Sequence, residues 1–215
     1  MYMTIENFIT VCNLLTFIIV VRVVTLILKI YTSECSLINE GSAFKTLLCI
    51  GSGGHTTELL RITKRLNLEK YNPRMYIVAD NDGSSEYKIH MAEHGRKDFS
   101  ISKIPRSRNV NQSFRSSVVT TFYATVRSFP ILLSFKPNVI LCNGPGTCVP
   151  ICIVAFILRC LFISNCRIIF IESICRVRSL SLTGSIMQYF ADVFVVQWPQ
   201  LNDVCFRAKY FGRLT

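Results

Sequence analysis

Residues 46–58 read TLLCIGSGGHTTE, and they contain the sharpest structural signal in the chain. A short apolar run ends in Gly51-Ser52-Gly53-Gly54, and a segment of helical period follows directly. A strand, a glycine-rich turn and a helix in this order are typical of the first unit of a Rossmann-like domain. Glycines let backbone N–H groups approach an anion, and a helix start favours negative charge at the same place. The stretch therefore predicts a phosphate-binding turn, although a tight turn that merely needs small residues would read the same way.

The rest of residues 45–215 repeats this alternation of short apolar runs and helical segments. The runs predict six strands, at 45–50, 75–79, 99–104, 139–142, 167–171 and 193–196. The segments between them predict helices at 56–66, 85–93, about 113–134, 148–161 and 182–191. This alternation predicts an α/β fold with a Rossmann-like parallel sheet, whose ligands bind at the carboxyl ends of the strands.

The composition indicates a basic protein that meets a membrane. The chain has 215 residues, of which 50% are hydrophobic and 17% charged, with 24 Lys+Arg against 13 Asp+Glu. This length suits one α/β domain with a short appendage and leaves no room for two full nucleotide-fold domains. The stretch 99–171 contains no acidic residue. It suits an anionic partner, or a surface attracted to acidic membranes.

The segment Phe8–Ile30 predicts a membrane anchor. Its 23 residues would reach roughly 34 Å as a helix, and a bilayer core is about 30 Å thick. Arg22 lies nearer the C-terminal end, where it can reach the interface beside Lys29. The start contains Glu6 and lacks an A-x-A site, which favours an uncleaved anchor over a signal peptide. With the positive charge placed inside, the predicted parts are a lumenal 1–7, a transmembrane 8–30, a linker 31–44 and a cytosolic 45–215.

Two other features bear on this topology. The apolar run 149–163 is too short and too interrupted to span a bilayer, and it predicts a buried helix. Asn111-Gln112-Ser113 is a glycosylation sequon, which could be used only if residues 41–215 were lumenal.

Polar and glycine-rich residues follow several other predicted strands. Asn143-Gly144-Pro145-Gly146-Thr147 forms a second glycine-rich turn, and Glu172 begins a third segment that also contains Arg176. His55 is a candidate general base or anion donor, or simply a helix-start residue. Glu172 is a candidate for orienting a sugar hydroxyl or His55, with a structural ion pair as the alternative. Arg176 is a candidate for a phosphate contact, with the same ion pair as the alternative, and Arg106 is a candidate for a phosphate contact or part of the solvated surface.

The sequence predicts no metal and no cofactor. Asp80-Asn81-Asp82 has the D-x-D form by which some glycosyltransferases hold a metal-bound nucleotide, but this short pattern is common and here ends a strand. His90 and His94 lie one helical turn apart without an evident third ligand. The ten cysteines include no CxxC pair, and most of them lie in apolar runs, so we expect buried free thiols.

Five segments together carry a family resemblance: LLCIGSGGHTTELLR, IPRSR, LCNGPGTCVP, ESICRVRSLSLTG and DVFVVQWP. In this order behind one span, they closely resemble the membrane-anchoring subunit of the dolichol-pathway UDP-N-acetylglucosamine transferase. The resemblance implies the acceptor-side half of a split GT-B glycosyltransferase, which recruits a cytosolic subunit that binds UDP-N-acetylglucosamine. Together the two would add the second N-acetylglucosamine to N-acetylglucosaminyl-diphosphodolichol at the endoplasmic reticulum membrane. The resemblance is also compatible with a location of the chain in the nuclear membrane. More distantly, the segments are similar to the N-terminal domain of the bacterial lipid-linked N-acetylglucosaminyltransferase of peptidoglycan synthesis.

The resemblance also implies a site. His55 or Glu172 would assist deprotonation of the acceptor hydroxyl, and the chain would not be active without its partner subunit. The residues expected to hold the acceptor diphosphate are Gly51, Ser52, Gly53, Gly54, Thr56, Asn143, Gly144, Gly146, Thr147, Ser173, Arg106 and Arg176. Two alternatives stay open: a pure membrane scaffold with a vestigial cleft, and a stand-alone membrane-bound nucleotide enzyme.

Overall fold

Seven parallel strands form a single sheet in the computed structural model, which describes residues 5–32, 43–108 and 112–215. The strands are β1 (Thr46–Cys49), β2 (Arg74–Ala79), β3 (Phe99–Ile104), β4 (Val139–Asn143), β5 (Arg167–Ile171), β6 (Val193–Val196) and β7 (Ala208–Tyr210). Their order across the sheet is β3-β2-β1-β4-β5-β6-β7. The predicted Rossmann-like fold is therefore confirmed, with one strand more than the sequence indicated.

Helices precede the sheet and connect its strands. They are α1 (Ile5–Tyr31), α2 (Gly54–Lys64), α3 (Gly83–Ala92), α4 (Phe114–Phe135), α5 (Cys148–Cys160) and α6 (Leu182–Met187), with a 3-10 helix at Pro199–Asn202. The five helices predicted after residue 45 are all present. The last of them ends at Met187, four residues before its predicted end, because the chain turns there to enter β6.

Both faces of the sheet are buried, which explains why its strands read as continuous apolar runs. Successive side chains of a strand point to opposite faces. Leu47 accordingly packs into the core on the side of α4, α5 and α6. Leu48 packs into the core on the side of α2 and α3. Most of the run at 149–163 lies in the buried helix α5, as predicted, whereas Leu161, Phe162 and Ile163 follow the helix and are exposed.

A buried ion pair explains the charged residue inside α5. Arg159 is 1% exposed, and its two terminal nitrogens donate to the two carboxylate oxygens of Asp192 at 2.8 and 2.9 Å. Asp192 also accepts from the backbone N–H of Ile168, at the edge of β5. This bidentate pair ties α5 to the strands beneath it.

The strand order places a crevice between β1 and β4. After β3 the chain returns across the sheet, so that β4 pairs with the opposite edge of β1, with Cys49 opposite Cys142. The loops that follow these two strands therefore leave the sheet in different directions. Parallel sheets bind ligands at such a switch point.

Helix α1 is long and apolar enough to cross a membrane, and most of its surface is exposed. Its C-terminal part packs on the domain: Leu26 and Ile30 are buried, and Tyr31 stacks on Phe206. Arg22 lies over the ring of Phe162, with 4.6 Å from the guanidinium carbon to the ring centroid. Arg22, which the sequence placed near the membrane interface, therefore also contacts the domain. Most of the predicted linker and the sequon residue Asn111 lie outside the described residues.

Helix α4 is also long and apolar enough, by length and composition, to cross a membrane. It joins β3 to β4 of one sheet, and one of its faces is buried through Ala124, Ser128 and Leu132. Its opposite face exposes large apolar side chains, at Val118, Val119, Phe122, Tyr123 and Val126. The helix therefore belongs to the domain, with an apolar outer face.

Candidate functional site

A cavity of about 1140 Å³ opens at the carboxyl ends of the central strands. Its walls come from the turns after β1 and β4 and from the loops after β3 and β5. The lining includes Gly51, Ser52, Gly54, His55, Thr57, Glu58, Arg61, Asp82, Arg106, Ser107, Arg108, Gly144, Gly146, Thr147, Ser173, Arg176 and Thr215.

The turn after β1 depends on the absence of side chains at two positions. Gly53 has a φ of +67°, a conformation that favours glycine. A Cβ on Gly51 would collide with the ring of Pro145, which belongs to the turn after β4. Thr56 is fully buried, and its hydroxyl contacts the carbonyl of Gly51 and, at 2.6 Å, the hydroxyl of Ser85. Thr56 thus supports the turn from behind instead of lining the cavity.

The turn after β4 holds His55 in place. The side-chain amide of Asn143 donates from Nδ2 to the carbonyl of Ile171 at 3.4 Å, which leaves Oδ1 facing His55 Nδ1 at 3.3 Å. An amide oxygen only accepts, so Nδ1 carries a proton, and in the neutral imidazole Nε2 is then the nitrogen with the lone pair. Gly144, with a φ of +65°, packs directly against the imidazole ring. The neutral tautomer selected here is one that can accept a proton.

Glu172 lies beneath the cavity wall. It is 0% exposed and absent from the lining. Its Oε1 accepts from the N–H of Ser173 at 3.0 Å, and its Oε2 accepts from both the N–H and the hydroxyl of Ser181 at 3.0 Å each. Both oxygens of Glu172, which the sequence offered as a candidate base, are therefore occupied by donors that shape the loop between β5 and α6.

A second carboxylate, Glu58, was missed in the sequence. It accepts from the hydroxyl of Ser173 at 3.0 Å, from the N–H of Ile174 at 2.8 Å and from the side-chain amide of Gln197. The oxygen of that amide accepts in turn from the N–H of Leu214 at 3.1 Å. Glu58 thus connects α2, the loop after β5 and the last residues of the chain. Its position one helical turn after His55 was the available signal.

The cavity is rich in positive charge. Arg61, Arg106, Arg108 and Arg176 all line it. Two carboxylates also line it, but Glu58 is engaged as described, and Asp82 accepts from the N–H and hydroxyl of Ser85 as the cap of α3. The arginines and the backbone N–H groups of the glycine turns therefore favour an anion with several oxygens, such as a diphosphate.

The structure brings most of the predicted site together. Nine of the residues expected to hold the diphosphate line the cavity: Gly51, Ser52, Gly54, Gly144, Gly146, Thr147, Ser173, Arg106 and Arg176. The other three, Gly53, Thr56 and Asn143, shape it from behind. The D-x-D segment caps a helix, and His90 packs edge-on against Phe99 outside the cavity. Arg61 and Thr215 join the lining although nothing in their sequence context had indicated it.

Comparisons with known proteins show the family to which the chain belongs. The sequence profile described as "Oligosaccharide biosynthesis protein Alg14 like" matches residues 46–214. The chain belongs to the Alg14 family. The UDP-N-acetylglucosamine transferase subunit ALG14 of Mus musculus is 45% identical over 182 residues, which cover 80% of this chain and 83% of that protein. The Alg14 relative of Homo sapiens is 43% identical over 201 residues, covering 89% and 93%.

The Alg14 relationship extends to fungi, and the fold extends to bacteria. The subunit of the same name from Yarrowia lipolytica is 42% identical over 174 residues, covering 79% of this chain and 81% of that protein. The crystal structure of MurG from Acinetobacter baumannii matches with a TM-score of 0.55 at 14% sequence identity. That match covers 74% of this chain and 43% of the MurG chain, and it shows a shared GT-B-like fold.

Proposed function

We propose that this Alg14-family chain is the membrane-anchored, acceptor-binding subunit of a two-part UDP-N-acetylglucosamine transferase. In this proposal it recruits a cytosolic subunit, which binds UDP-N-acetylglucosamine, to the endoplasmic reticulum membrane. The pair transfers the second N-acetylglucosamine to N-acetylglucosaminyl-diphosphodolichol. The observation that carries the proposal is the arginine-lined cleft between two glycine turns in a domain of this family.

The cleft supports the part of the proposal that concerns the acceptor diphosphate. Backbone N–H groups at the start of α2 and around Gly144 and Gly146 would donate hydrogen bonds to one end of the anion. Arg106 and Arg176 would neutralise its charge. The lipid part of the acceptor needs an apolar surface beside this cleft. The outer face of α4 supplies one: α4 begins near the cleft, where the hydroxyl of Thr120 donates to the carbonyl of Ser107 at 2.6 Å.

His55 is the proposed general base. Because Nδ1 faces Asn143 Oδ1, Nε2 is the nitrogen with the lone pair in the neutral imidazole, and the residue lines the cavity. Nε2 would accept the proton of the acceptor hydroxyl as that oxygen attacks the anomeric carbon of the donor sugar, with inversion. Glu172, which the sequence offered as the other candidate, is proposed instead to position the loop that carries Ser173 and Arg176.

The experiment co-expresses the full-length chain with its cytosolic partner and measures transfer to a diphosphate-linked lipid acceptor in membranes. His55→Ala should lower turnover by about 10²–10⁴-fold, the usual contribution of a general base. His94→Ala, a change at an exposed histidine outside the cavity, is the matched control. Turnover that survives His55→Ala with normal partner binding would refute the catalytic role.

Arginines two residues apart offer a second matched pair. Both Arg176 and Arg178 are exposed, but only Arg176 lines the cavity. Arg176→Ala should raise the KM for the lipid diphosphate acceptor without changing the KM for UDP-N-acetylglucosamine, and Arg178→Ala should change neither. If His55→Ala and Arg176→Ala both leave transfer unchanged, while the partner reaches the membrane only when this chain is present, the pure scaffold is the better description.

A further inference from the structure

Four buried cysteines lie together directly beneath the cleft. The Sγ atoms of Cys49, Cys142 and Cys148 are all within 4.8 Å of one another. The Sγ of Cys152 is 3.5 Å from that of Cys142. All four residues are at most 1% exposed. No local sequence pattern indicates this cluster, because its members are spread over more than a hundred positions and include no CxxC pair.

The cluster is held by rigid elements. Cys49 and Cys142 are register partners on the adjacent strands β1 and β4. Cys148 is the first residue of α5, and Cys152 follows one helical turn later on the same face. Ligands placed on strands and helices are held more precisely than ligands on loops.

We propose that Cys49, Cys142, Cys148 and Cys152 form a binding site for a zinc ion. Zinc prefers a tetrahedron of thiolates with Zn–S distances of about 2.3 Å, which places the sulfur atoms about 3.8 Å apart. The Cys142–Cys152 separation is already close to this value. Among Cys49, Cys142 and Cys148, whose sulfur atoms lie within 4.8 Å of one another, each pair needs to approach by no more than about 1 Å.

Binding displaces the thiol protons. One Zn²⁺ and four thiols give one tetrathiolate complex of charge 2− and four protons, which pass to solvent. The N-terminus of α5, where Cys148 lies, has the partial positive charge that stabilises such a complex.

The site would act on the cleft through the chain. Cys49 lies two residues before Gly51, Cys142 directly precedes Asn143, and Cys148 directly follows Thr147. A bound ion would therefore join the bases of both glycine turns and fix the distance between them. Because this inference uses only the cysteine geometry, it does not depend on the proposed transferase function.

The test uses the full-length chain in detergent, reduced and freed of metal with a chelator, then titrated with Co²⁺ and Zn²⁺. We expect one Co²⁺ per chain, a thiolate-to-cobalt charge-transfer band in the near ultraviolet, and displacement by one equivalent of Zn²⁺. Loss of a second-shell partner already costs about 10–100-fold in affinity. Cys148→Ser, which removes a ligand, should therefore weaken binding by more than about 100-fold.

Cys205→Ser is the matched control, since Cys205 is also 1% exposed but lies outside the cluster. It should bind Co²⁺ as the unaltered chain does. If Cys148→Ser does not fold, Cys49→Val preserves the apolar packing and serves in its place, with folding checked by circular dichroism. The proposal is overturned if the reduced, folded chain binds neither ion, or if the cluster variants bind as tightly as the control.

Discussion

Gly144→Ala tests the link between the two glycine turns most directly. Gly144 has a φ of +65°, and an added Cβ would lie 2.7 Å from Cε1 and 3.0 Å from Nδ1 of His55. Ordinary van der Waals contact begins at 3.4 Å, so the ring must retreat by about 0.7 Å, which is 3.4 − 2.7. That movement stretches the 3.3 Å contact between His55 and Asn143.

Two effects of different size follow from this geometry. The left-handed backbone costs a residue with a Cβ about 1–2 kcal/mol, which corresponds to a Tm lowered by about 2–8 °C for a chain of this size. Misplacement of a catalytic group by about 1 Å can lower a rate by 10²-fold. We therefore expect turnover to fall by about 10–100-fold while the protein remains folded.

Gly95→Ala separates the two effects. Gly95 has a φ of +80°, but its added Cβ would meet nothing within 4 Å, and the residue is remote from the cavity lining. Both variants should lose similar thermal stability, measured as Tm, whereas only Gly144→Ala should lose transfer activity in membranes that contain the partner subunit. Equal activity in the two variants would refute the reasoning that His55 must rest against Gly144.

Three further predictions concern other parts of the domain. Glu172→Gln leaves at least one buried donor without an acceptor, so it should lower the free energy of unfolding by about 1–3 kcal/mol. An unchanged Tm of the variant would contradict the hydrogen bonds described. Burial opposes the charge of Glu93, but hydrogen bonds from Tyr76 and Arg74 outweigh it and hold the pKa of Glu93 below its ordinary value. Because the folded-state pKa is depressed, ionised Glu93 contributes its full stabilisation at pH values above its ordinary pKa of 4.5. This contribution is lost as the pH falls from there through the folded-state pKa. Glu93→Gln should therefore destabilise by about 3–5 kcal/mol at pH 7 and by less in acid, which denaturant titrations at both pH values will measure. Phe122→Asp, on the outer face of α4, should raise the KM for a long-chain lipid acceptor but not for a short-chain one.

The fold could be read from the sequence because its signals are local. An apolar run of four buried residues, Thr46–Cys49, leads into glycines, and the same change of period recurs along the chain. The strand β7 escaped because it is three residues long, lies at the edge of the sheet and is only partly buried. Its pairing with β6 depends on tertiary structure, and the local sequence Ala208–Tyr210 does not indicate it.

The site was predictable in its main parts and unpredictable in its connections. Glycine turns after strands are sequence features, so their meeting at one edge followed from the fold. The contact between His55 and Asn143 joins residues 88 positions apart, and no local pattern indicates it. The sequence offered Glu172 as a candidate and did not single out Glu58, whereas in the structure Glu58 lines the cavity and Glu172 lies beneath its wall. Burial decides between them, because only the folded chain shows which carboxylate is covered.

The two glycine turns form one unit, and this bears on the choice between an acceptor site and a scaffold. Gly51 leaves room for Pro145, His55 rests on Gly144, and Asn143 selects the tautomer of the histidine. Each of these contacts crosses from one turn to the other at the open edge of the sheet, where the sheet itself needs none of them. A chain that only tethered its partner would have no physical use for a histidine fixed by both turns in a cavity lined by four arginines. An acceptor with a diphosphate and a hydroxyl to be deprotonated uses both, and that is why we favour the active half-site.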